Sequence, residues 1–332
     1  MPTQSQTNPF PYSDSNKRYY TYDYFLKKKF GKKCAKLPVD GGFTCPNRDG
    51  TKGTGGCIYC SARGSGDFCA EPEVPVTEQV NRAFVLMHRK WRDALGIVYF
   101  QAFTNTYAPL DILKKRFEPA LNVPGVVGLS VATRADCLPD DVCGYLAELA
   151  ERTFLTVELG LQTADDRTAE RINRGHSFTD FVSGYEKLRK ASDKISVGVH
   201  LINGLPGEDE DTMLETAKKV AALRPDQVKL HLLHVISGTR LAEMYSRGEF
   251  GCLTQDVYTE IVVRQLELLP PETVIGRVTG DGMGGELIAP LWSRKKVCVM
   301  NGIDKLMFEN NTYQGRLYTR ENGEIHSFDH KL

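Results

Sequence analysis

TCPNRDGTKGTGGCIYCS, residues 44–61, carries three cysteines, Cys45, Cys57 and Cys60, in a C-x11-C-x2-C pattern. The glycines between them let a short loop fold back around a metal without clashes from Cβ atoms. A structural zinc ion normally has four protein ligands, whereas three cysteines around a [4Fe–4S] cluster leave one iron open for a small molecule. The loop alone leaves both kinds of site open, because Cys34 or Cys69 could supply a fourth ligand to zinc.

The composition is typical of a globular protein in a reducing compartment. The 332 residues are 41% hydrophobic and 25% charged, which suits one large α/β barrel domain with extensions or two ordinary domains. The chain has no uncharged apolar run of about 18 residues, so we expect no membrane span. The cysteines are odd in number, nine, and the first residues lack a signal peptide, which predicts free thiols and a cytoplasmic location. Lys plus Arg and Asp plus Glu number 42 each, which argues against nucleic-acid binding by overall charge.

Strand-like and helix-like segments alternate through the middle of the chain, which predicts repeated β/α units around a parallel sheet. The predicted strands are residues 36–43, 97–102, 126–132, 153–159, 196–202 and 227–233, and the predicted helices are residues 77–94, 110–121, 140–151, 165–173, 178–191 and 211–223. Thr77 is the predicted N-cap of the first of these helices. Six such units are too few to close an eight-stranded barrel. The predicted fold class is therefore α/β, a partial (β/α)6 TIM-like barrel with N- and C-terminal extensions.

Polar residues follow the carboxyl ends of these strands, where barrels of this kind carry their chemistry. The cysteine loop follows the first strand, and residues 101–105 (QAFTN) follow the second. Each polar residue could serve only to cap the next helix, but their joint placement predicts a functional rim at one end of the barrel. The later strands contribute Thr133, Arg134 and Asp136, then Gln162, then His200 with residues 203–208 (NGLPGE), and finally His231 and His234.

The N-terminal segment combines basic and aromatic residues. Residues 1–16 are rich in Pro, Ser, Thr and Asn and are predicted to form a loosely ordered leader. Residues 17–33 hold seven Lys or Arg and one acidic residue, Asp23, a local charge of +6. Such a segment suits RNA phosphates and unstacked bases. We favour a different interpretation, an amphipathic helix whose aromatic side chains pack on the domain while its lysines are solvated.

Three motifs, in the right order along the chain, resemble those of radical S-adenosylmethionine (SAM) enzymes. The cysteine loop has an aromatic residue, Tyr59, directly before its last cysteine. Residues 157–177 (VELGLQTADDRTAERINRGHS) and 200–209 (HLINGLPGED) resemble parts of the Elongator catalytic subunit and of the oxygen-independent coproporphyrinogen oxidase group. The YhcC/YtqA (MnmL-like) type is more similar still. Its signatures resemble residues 18–33, 40–68 (DGGFTCPNRDGTKGTGGCIYCSARGSGDF), 100–109 (FQAFTNTYAP) and 287–296 (LIAPLWSRKK).

The resemblance implies a radical SAM core at residues 36–269, preceded by an N-terminal segment at 1–35 and followed by an extension at 270–332 that closes the barrel. It favours iron and sulfur over zinc, with Cys45, Cys57 and Cys60 holding a [4Fe–4S] cluster whose open iron binds SAM. Elongator-like proteins have Glu in the third strand where this chain has Ala132, so Ser130 or Arg134 is expected to cover that role. The other implied SAM-site residues are Gln101 and Thr104 around the amino group, Gln162 at the ribose, Arg174 at the carboxylate, His200 at the adenosyl moiety and Glu158 as a buttress of the arginines.

The resemblance also implies a reaction and partners. One electron delivered to SAM, from a donor such as flavodoxin or ferredoxin, would yield a 5′-deoxyadenosyl radical that abstracts hydrogen from the substrate. Some members of this type are linked to wobble-uridine modification in tRNA, the conversion of 5-carboxymethylaminomethyluridine to 5-aminomethyluridine. The alternatives are a radical SAM enzyme for a small metabolite or peptide, and a non-catalytic zinc-binding RNA module. For a tRNA substrate we expect residues 17–33 and 293–296 (SRKK) to form one basic rim at the barrel mouth.

Overall fold

Seven parallel strands form one continuous sheet. The computed structural model describes residues 8–67, 69–280 and 285–319, so parts of the predicted leader (1–7) and of the predicted C-terminal extension (281–284 and 320–332) lie outside the described residues. The strands are β1 (Cys34–Val39), β2 (Leu95–Phe100), β3 (Val126–Thr133), β4 (Phe154–Gln162), β5 (Ser196–Asn203), β6 (Gln227–Leu232) and, after the short β7 (Val235–Ile236), β8 (Val274–Arg277). Their order in the sheet is β1-β2-β3-β4-β5-β6-β8. A separate antiparallel pair joins β7 to β9 (Leu287–Ala289).

The predicted partial α/β barrel is confirmed, with one strand more than expected. All six predicted strands are present within a few residues of their expected bounds. The seventh, β8, pairs in parallel with β6 and lies in the region that the sequence assigned to the C-terminal extension. It has only four residues, too few to show a strand periodicity in the sequence.

Ten helices of the described residues surround or follow the sheet. Polar N-caps fix several helix starts, among them Asp165, Asp209 and Ser177, which forms a capping box with Asp180. The predicted N-cap Thr77 is wrong, because the helix begins one residue earlier, after Pro75, whose ring holds φ near the helical value. The helices are α1 (Tyr22–Phe30), α2 (Val76–His88), α3 (Leu110–Leu121), α4 (Asp140–Arg152), α5 (Asp166–Arg171), α6 (Phe178–Ala191), α7 (Glu210–Leu223), α8 (Arg240–Ser246), α9 (Gln255–Leu268) and α10 (Lys296–Glu309).

Alternate residues of the strands serve two different environments. One set is apolar and joins the main core with the helices, as Leu129, Val131 and Val157 do. The other set includes Lys36, Ser130 and Glu158, whose side chains bond to one another across three strands. Since successive side chains of a strand point to opposite faces, the barrel interior is polar at this level while the outer face of the sheet is apolar.

Helix α1 closes the amino-terminal end of the barrel. Phe25 and Phe30 contact Phe154, the first residue of β4. Leu26 is buried beside the first residues of β1 and β2, and Thr21 pairs with Ile275 of β8. The lysines at 27, 28 and 29 are exposed. The amphipathic helix that we favoured for this segment is therefore confirmed.

The predicted basic rim is wrong. Helix α1 leads directly into β1 and must lie where the strands begin, whereas residues 293–296 follow β9, whose partner β7 comes just after the carboxyl end of β6. The two basic segments therefore lie at opposite ends of the barrel. Only residues 293–296 lie near the end at which the cysteine loop is found.

Helices long and apolar enough to span a bilayer were looked for among the described residues, and none was found.

Candidate functional site

The cysteine loop is anchored by Ile58. Its backbone N–H donates to the carbonyl of Ile172 (3.1 Å), and its carbonyl accepts from the N–H of Leu241 (2.9 Å). The Ile58 side chain is buried in a small apolar cluster with both of these residues. Because Ile58 directly follows Cys57 and precedes Cys60 by two residues, these contacts fix the positions of both cysteines.

Two asparagines hold the loop against the turn that follows α5. The side-chain amide of Asn173 donates to the carbonyl of Gly56 (2.7 Å). In return, the Asn47 amide donates to the carbonyl of Asn173 and lies 3.9 Å from Sγ of Cys57. Gly56 has φ of 74°, a left-handed conformation that glycine adopts without strain. The loop and the turn are thus one structural unit.

A cavity of about 190 Å³ lies at the carboxyl ends of the strands, where the sequence predicted a functional rim. All three loop cysteines line it. Seven of the eight side chains expected to form the SAM site also line the cavity, namely Gln101, Thr104, Arg134, Glu158, Gln162, Arg174 and His200. The eighth, Ser130, is fully buried and donates to Oε1 of Glu158 (2.8 Å).

Arg174 is a buried cation that is only partly bonded. Nη2 donates to the carbonyl of Gly160, and Nη1 lies 3.9 Å from Sγ of Cys57. Nε is buried and has no partner among the described residues, and the ion pairs found in that part of the chain do not include Arg174. A buried charge without a counter-ion is costly. This guanidinium is therefore suited to an anionic ligand in the cavity.

Arg134, by contrast, is held on several sides. Nε and Nη2 each donate to a carboxylate oxygen of Asp136 (2.9 Å), Nη1 donates to the carbonyl of Arg174 (2.8 Å), and Nη2 also donates to that of Gly175 (3.2 Å). Burial opposes the charge of Asp136, but Arg134 and Lys52 hold the pKa of this carboxyl well below its usual value. Arg134 therefore fixes the turn that carries Arg174.

Glu158 lies at the centre of a polar layer inside the barrel. Burial alone would raise the pKa of Glu158, but Lys229 and Lys36 hold this pKa well below its usual value. Both carboxylate oxygens accept from donors other than Arg134 and Arg174, so the expectation that Glu158 buttresses the arginines is wrong, and Glu158 orients other neighbours instead. Four strands supply donors to it, namely Lys36 of β1, Ser130 of β3, His200 of β5 and Lys229 of β6.

His200 is held as a neutral imidazole by this layer. Burial and Lys229 lower its pKa to about 4, against the opposing effect of Glu158. At neutral pH the hydrogen bond between Nε2 and Oε2 of Glu158 (2.8 Å) then assigns the proton to Nε2, which leaves Nδ1 as an acceptor.

Unfavourable backbone conformations are concentrated at this site. Among the described residues, six non-glycine residues have φ in the left-handed region. Three of them, Ser65, Phe103 and Gln162, line the cavity, and a fourth, Asn173, holds the cysteine loop. Such conformations persist only where the surroundings enforce them, and they are common around ligands.

Comparison with known families identifies the chain. The Radical SAM superfamily profile matches residues 48–220, and the Radical_SAM C-terminal domain profile matches residues 225–309. The chain belongs to the radical SAM superfamily. YtqA of Bacillus subtilis (strain 168) is 51% identical over 315 residues, which cover 95% of this chain and 97% of that protein. YhcC of Escherichia coli (strain K12) is 35% identical over 286 residues, which cover 86% and 91%. The YhcC/YtqA type expected from the motifs is thereby confirmed.

Solved structures share the fold of this radical SAM protein. The archaeal Methanocaldococcus infernus Elp3, with an N-terminal deletion, superposes with a TM-score of 0.64 at 18% identity, over 85% of this chain and 64% of that one. Methylornithine synthase (PylB) superposes with a TM-score of 0.50 at 12% identity, over 89% and 87%. At these identities the likeness concerns the fold alone.

The superfamily implies SAM and an iron–sulfur cluster as cofactors, and the residues of the loop fit the cluster. All nine cysteines are free thiols. A hydrogen bond from Cys60, together with Arg174, holds the pKa of Cys57 well below that of an ordinary thiol, whereas the same bond and burial raise the pKa of Cys60; the thiolate that a metal centre needs is therefore favoured at Cys57. Within the described ranges, no three His, Cys, Asp or Glu side chains are grouped to hold a metal ion. The three loop thiols nevertheless line one cavity beside the Arg174 guanidinium, a ligand set of the kind that a cluster held by three thiolates needs.

Neither of the two cysteines considered as a fourth ligand is among the described residues that line the cavity. Cys34 is the first residue of β1, at the opposite end of the barrel. Cys69 is not among the described residues that line the cavity, and burial raises the pKa of its thiol to about 12. The geometry therefore offers three cysteines, not four.

A second cavity, of about 220 Å³, adjoins the first on the side of β5, β6 and β8. Gln101, Gln162, His200 and His231 line both cavities. His234, a predicted rim residue, and Asp67 line only the second. The two cavities therefore share part of their wall.

Sequence reasoning missed several residues of the first cavity. Lys229 and Tyr99 lie inside strands, and Arg277 lies at the end of the unpredicted β8. A signal was present for one of them, because Lys229 and His231 are two residues apart in a strand (QVKLHL) whose other residues, apart from Gln227, are apolar. That spacing puts both on one face, and a charged side chain in a buried strand indicates a polar interior.

His176, another residue of the motif that carries Arg174, is not part of the cavity lining in the described chain. Its ring stacks on Phe181, and Nδ1 lies 3.1 Å from the carbonyl of Ser177. Burial and Arg174 lower its pKa to about 4. Larger grooves exist elsewhere, such as one of about 510 Å³ between α5, α7 and α9, but no cysteine lines it.

Proposed function

We propose that this radical SAM protein uses a [4Fe–4S] cluster held by Cys45, Cys57 and Cys60 to cleave SAM and abstract hydrogen from a substrate. One observation carries the proposal. Three free thiols and a buried arginine without a carboxylate partner among the described residues meet at one cavity. When bound, the cluster supplies the electron and the open iron at which SAM is split into methionine and a 5′-deoxyadenosyl radical.

In this scheme, the residues of the chain bind SAM and orient it. Arg174 takes the SAM carboxylate, since its buried Nε has no partner among the described residues and its guanidinium is charged. Gln162 faces the ribose, and the neutral His200 offers Nδ1 to the adenosyl moiety. Enclosure by the strand ends excludes water and stray hydrogen donors from the radical.

Ser130, Glu158 and Arg134 act as positioning residues in this scheme. The sequence suggested Ser130 or Arg134 as direct SAM ligands in place of the missing glutamate at Ala132. Ser130 instead bonds to Glu158, and Arg134 bonds to Asp136 and to the turn of Arg174. We therefore propose that these three residues act indirectly, by setting the orientation of His200 and Arg174. Gln101 and Thr104 bracket the segment that receives the SAM amino group.

The substrate that we propose is the modified wobble uridine of tRNA, with removal of the carboxymethyl group from 5-carboxymethylaminomethyluridine to give 5-aminomethyluridine. The tRNA uridine(34) acetyltransferase of Methanocaldococcus jannaschii is 29% identical to this chain over 158 residues, 47% of this chain and 28% of that protein. This similarity supports a tRNA substrate for the radical SAM part. The electron donor would be a flavodoxin or ferredoxin, and the enzyme would work in the cytoplasm.

One observation favours the second candidate, a radical SAM enzyme for a small metabolite or peptide. The basic helix α1, which the sequence offered as an RNA-binding segment, lies at the end of the barrel opposite the cavity. A small substrate would need no basic surface around the mouth.

The deciding experiment compares the nucleosides of bulk tRNA from cells with and without this gene. Loss of the gene should raise 5-carboxymethylaminomethyluridine and lower 5-aminomethyluridine together with anything made from it. A plasmid copy should restore the pattern, and a copy carrying Cys57→Ala should not. An unchanged nucleoside profile would favour the small-molecule candidate.

A further inference from the structure

The cavity has two chemically different levels. The cysteine loop and Arg174 lie in the loop and turn beyond the strands. Deeper in the barrel, the lining includes Glu158 of β4 and Lys229 and His231 of β6. A ligand that reaches into the cavity therefore meets different groups at its two ends.

Among the ion pairs of the deeper level, two cations share one carboxylate. The cations are Lys36 and Lys229, and the carboxylate is that of Glu158. The Tyr99 ring lies 4.4 Å from Nζ of Lys36 and 4.7 Å from Nζ of Lys229, and this contact favours the cations without adding a negative charge. Of these two lysines, Lys229 lines the cavity and Lys36 does not. The Lys229 side chain is 8% exposed.

Two further observations point to a missing anion at this deeper level. His231 has a buried Nε2 without a hydrogen-bond partner among the described residues, and its ring centroid lies 5.2 Å from that of His200. Burial, with Lys36 and Arg277 nearby, lowers the pKa of Lys229 well below its usual value, despite the opposing carboxylate of Glu158. Such a shift is expected for a buried ammonium group with other cations beside it, and a bound anion would oppose it.

We propose that Lys229 and His231 bind a carboxylate group of the substrate, deeper in the cavity than the position at which Arg174 takes the carboxylate of SAM. This inference rests on the proposed function, whose substrate carries a carboxymethyl group. Because Lys229 lies below the mouth and is largely buried, a carboxylate at the tip of a base substituent can reach it, whereas a phosphate of the RNA backbone cannot. The subsite would then select uridines that carry an acidic substituent.

The test compares two anticodon stem–loop RNAs that differ only in charge. One carries 5-carboxymethylaminomethyluridine at the wobble position, and the other carries the corresponding neutral carboxamide. The wild-type holoenzyme with SAM should bind the acid at least about tenfold more tightly, since one hydrogen bond between charged groups is at stake. Lys229→Met should lose this preference. Equal binding of the two RNAs by the wild type would overturn the inference.

Lys36→Met is the matched control. It removes the other lysine from the same carboxylate, but Lys36 is not among the lining residues of the cavity. This variant removes the same charge but no donor that lines the cavity, so it should reduce the preference for the acid less than Lys229→Met does. If Lys36→Met and Lys229→Met lose it equally, the lysines only stabilise Glu158 and the subsite does not exist. Should Lys229→Met fail to fold, the charge-balanced Glu158→Gln/Lys229→Met variant takes its place.

A second probe separates this inference from the proposed function. N-methylglycine carries the same aminomethyl carboxylate, and N-methylglycinamide is its neutral counterpart. In saturation-transfer NMR, wild type and Lys36→Met should bind the acid in preference to the amide, and Lys229→Met should not. If neither RNA binds, the proposed tRNA substrate is wrong, but selective binding of N-methylglycine would still support the subsite. If the protein shows no Lys229-dependent preference for N-methylglycine over N-methylglycinamide, the proposed subsite is wrong, even where the RNA is a substrate.

Discussion

At the scale of single residues, Arg174 is the one whose surroundings reveal most about the ligand of the cavity. Arg174→Ala should retain fold and cluster but weaken SAM binding by about 1.5 to 3 kcal/mol, the value of one hydrogen bond between charged groups. Equilibrium binding of SAM to the anaerobic protein measures this loss. Arg171→Ala is the control, because Arg171 belongs to the same segment and is exposed, and its guanidinium contacts the carbonyl of Pro206. Equal SAM affinity in the Arg174 variant and the wild type would remove the assigned role.

Glu208, in the NGLPGE segment, should make folding stability depend on pH. Burial raises its pKa to about 7, helped by Asp165 and Asp209 and opposed by a hydrogen bond from Thr163. An unfolded glutamate has a pKa of about 4.3. Between these values the folded state binds a proton that the unfolded state has released, so stability falls as pH rises through this window and levels off above about pH 7.

Urea unfolding of the cluster-free protein between pH 5 and 8 measures this effect. The wild type should lose on the order of 2 kcal/mol of unfolding free energy that Glu208→Gln does not lose. Glu186→Gln, on the exposed face of α6, should follow the wild-type curve. A Glu208→Gln protein with the wild-type pH slope would show that this carboxyl titrates alike in both states.

At the scale of elements, the position of α1 changes what is expected of its lysines. Because α1 closes the amino-terminal end of the barrel, replacing Lys27, Lys28 and Lys29 together with Gln should leave tRNA affinity and its salt dependence unchanged. Lys295→Gln, an exposed position near the mouth, should lower the slope of log affinity against log salt by about 0.7 to 0.9 if it contacts a phosphate. Filter binding from low to moderate salt measures both. A reduced slope for the triple variant would place RNA at the α1 end.

The elements that the sequence predicted well carry strong local signals. The helices at 110–121 and 178–191 have the predicted bounds. The second of these begins at a capping box of Ser177 and Asp180, which is visible in the sequence. The first predicted helix, 77–94, ends early at His88, because Leu95 must already pair with the start of β1. Tertiary pairing decided that boundary, and local propensity could not reveal it.

The candidate site likewise contains some residues that the sequence could reveal and others that it could not. The three cysteines and Arg174 could be found from motifs, since loops and turns carry them in recognisable spacings. Lys36 and Lys229 could not, because their meeting at Glu158 requires strands that are far apart in the sequence to close around one interior. The two hydrogen bonds from Arg134 to Asp136 could not be predicted from the sequence either, because they depend on the folded geometry.

At the scale of the whole molecule, the barrel separates its two ends. The amino-terminal end is closed by the aromatic side chains of α1. The carboxyl end holds the cysteine loop, both cavities and the strained residues around them. This division places all proposed chemistry at one end, as in other barrels, and assigns the basic helix to the closed end.

The most direct test of the central claim is the reductive cleavage of SAM by anaerobically reconstituted protein, measured as 5′-deoxyadenosine together with iron and labile sulfide. Wild type and Cys69→Ala should each bind about four irons and form 5′-deoxyadenosine. Cys57→Ala should lack the cluster and form none. A Cys57→Ala protein that keeps its iron and cleaves SAM, or a wild type that binds a single zinc and forms no 5′-deoxyadenosine, would contradict the account.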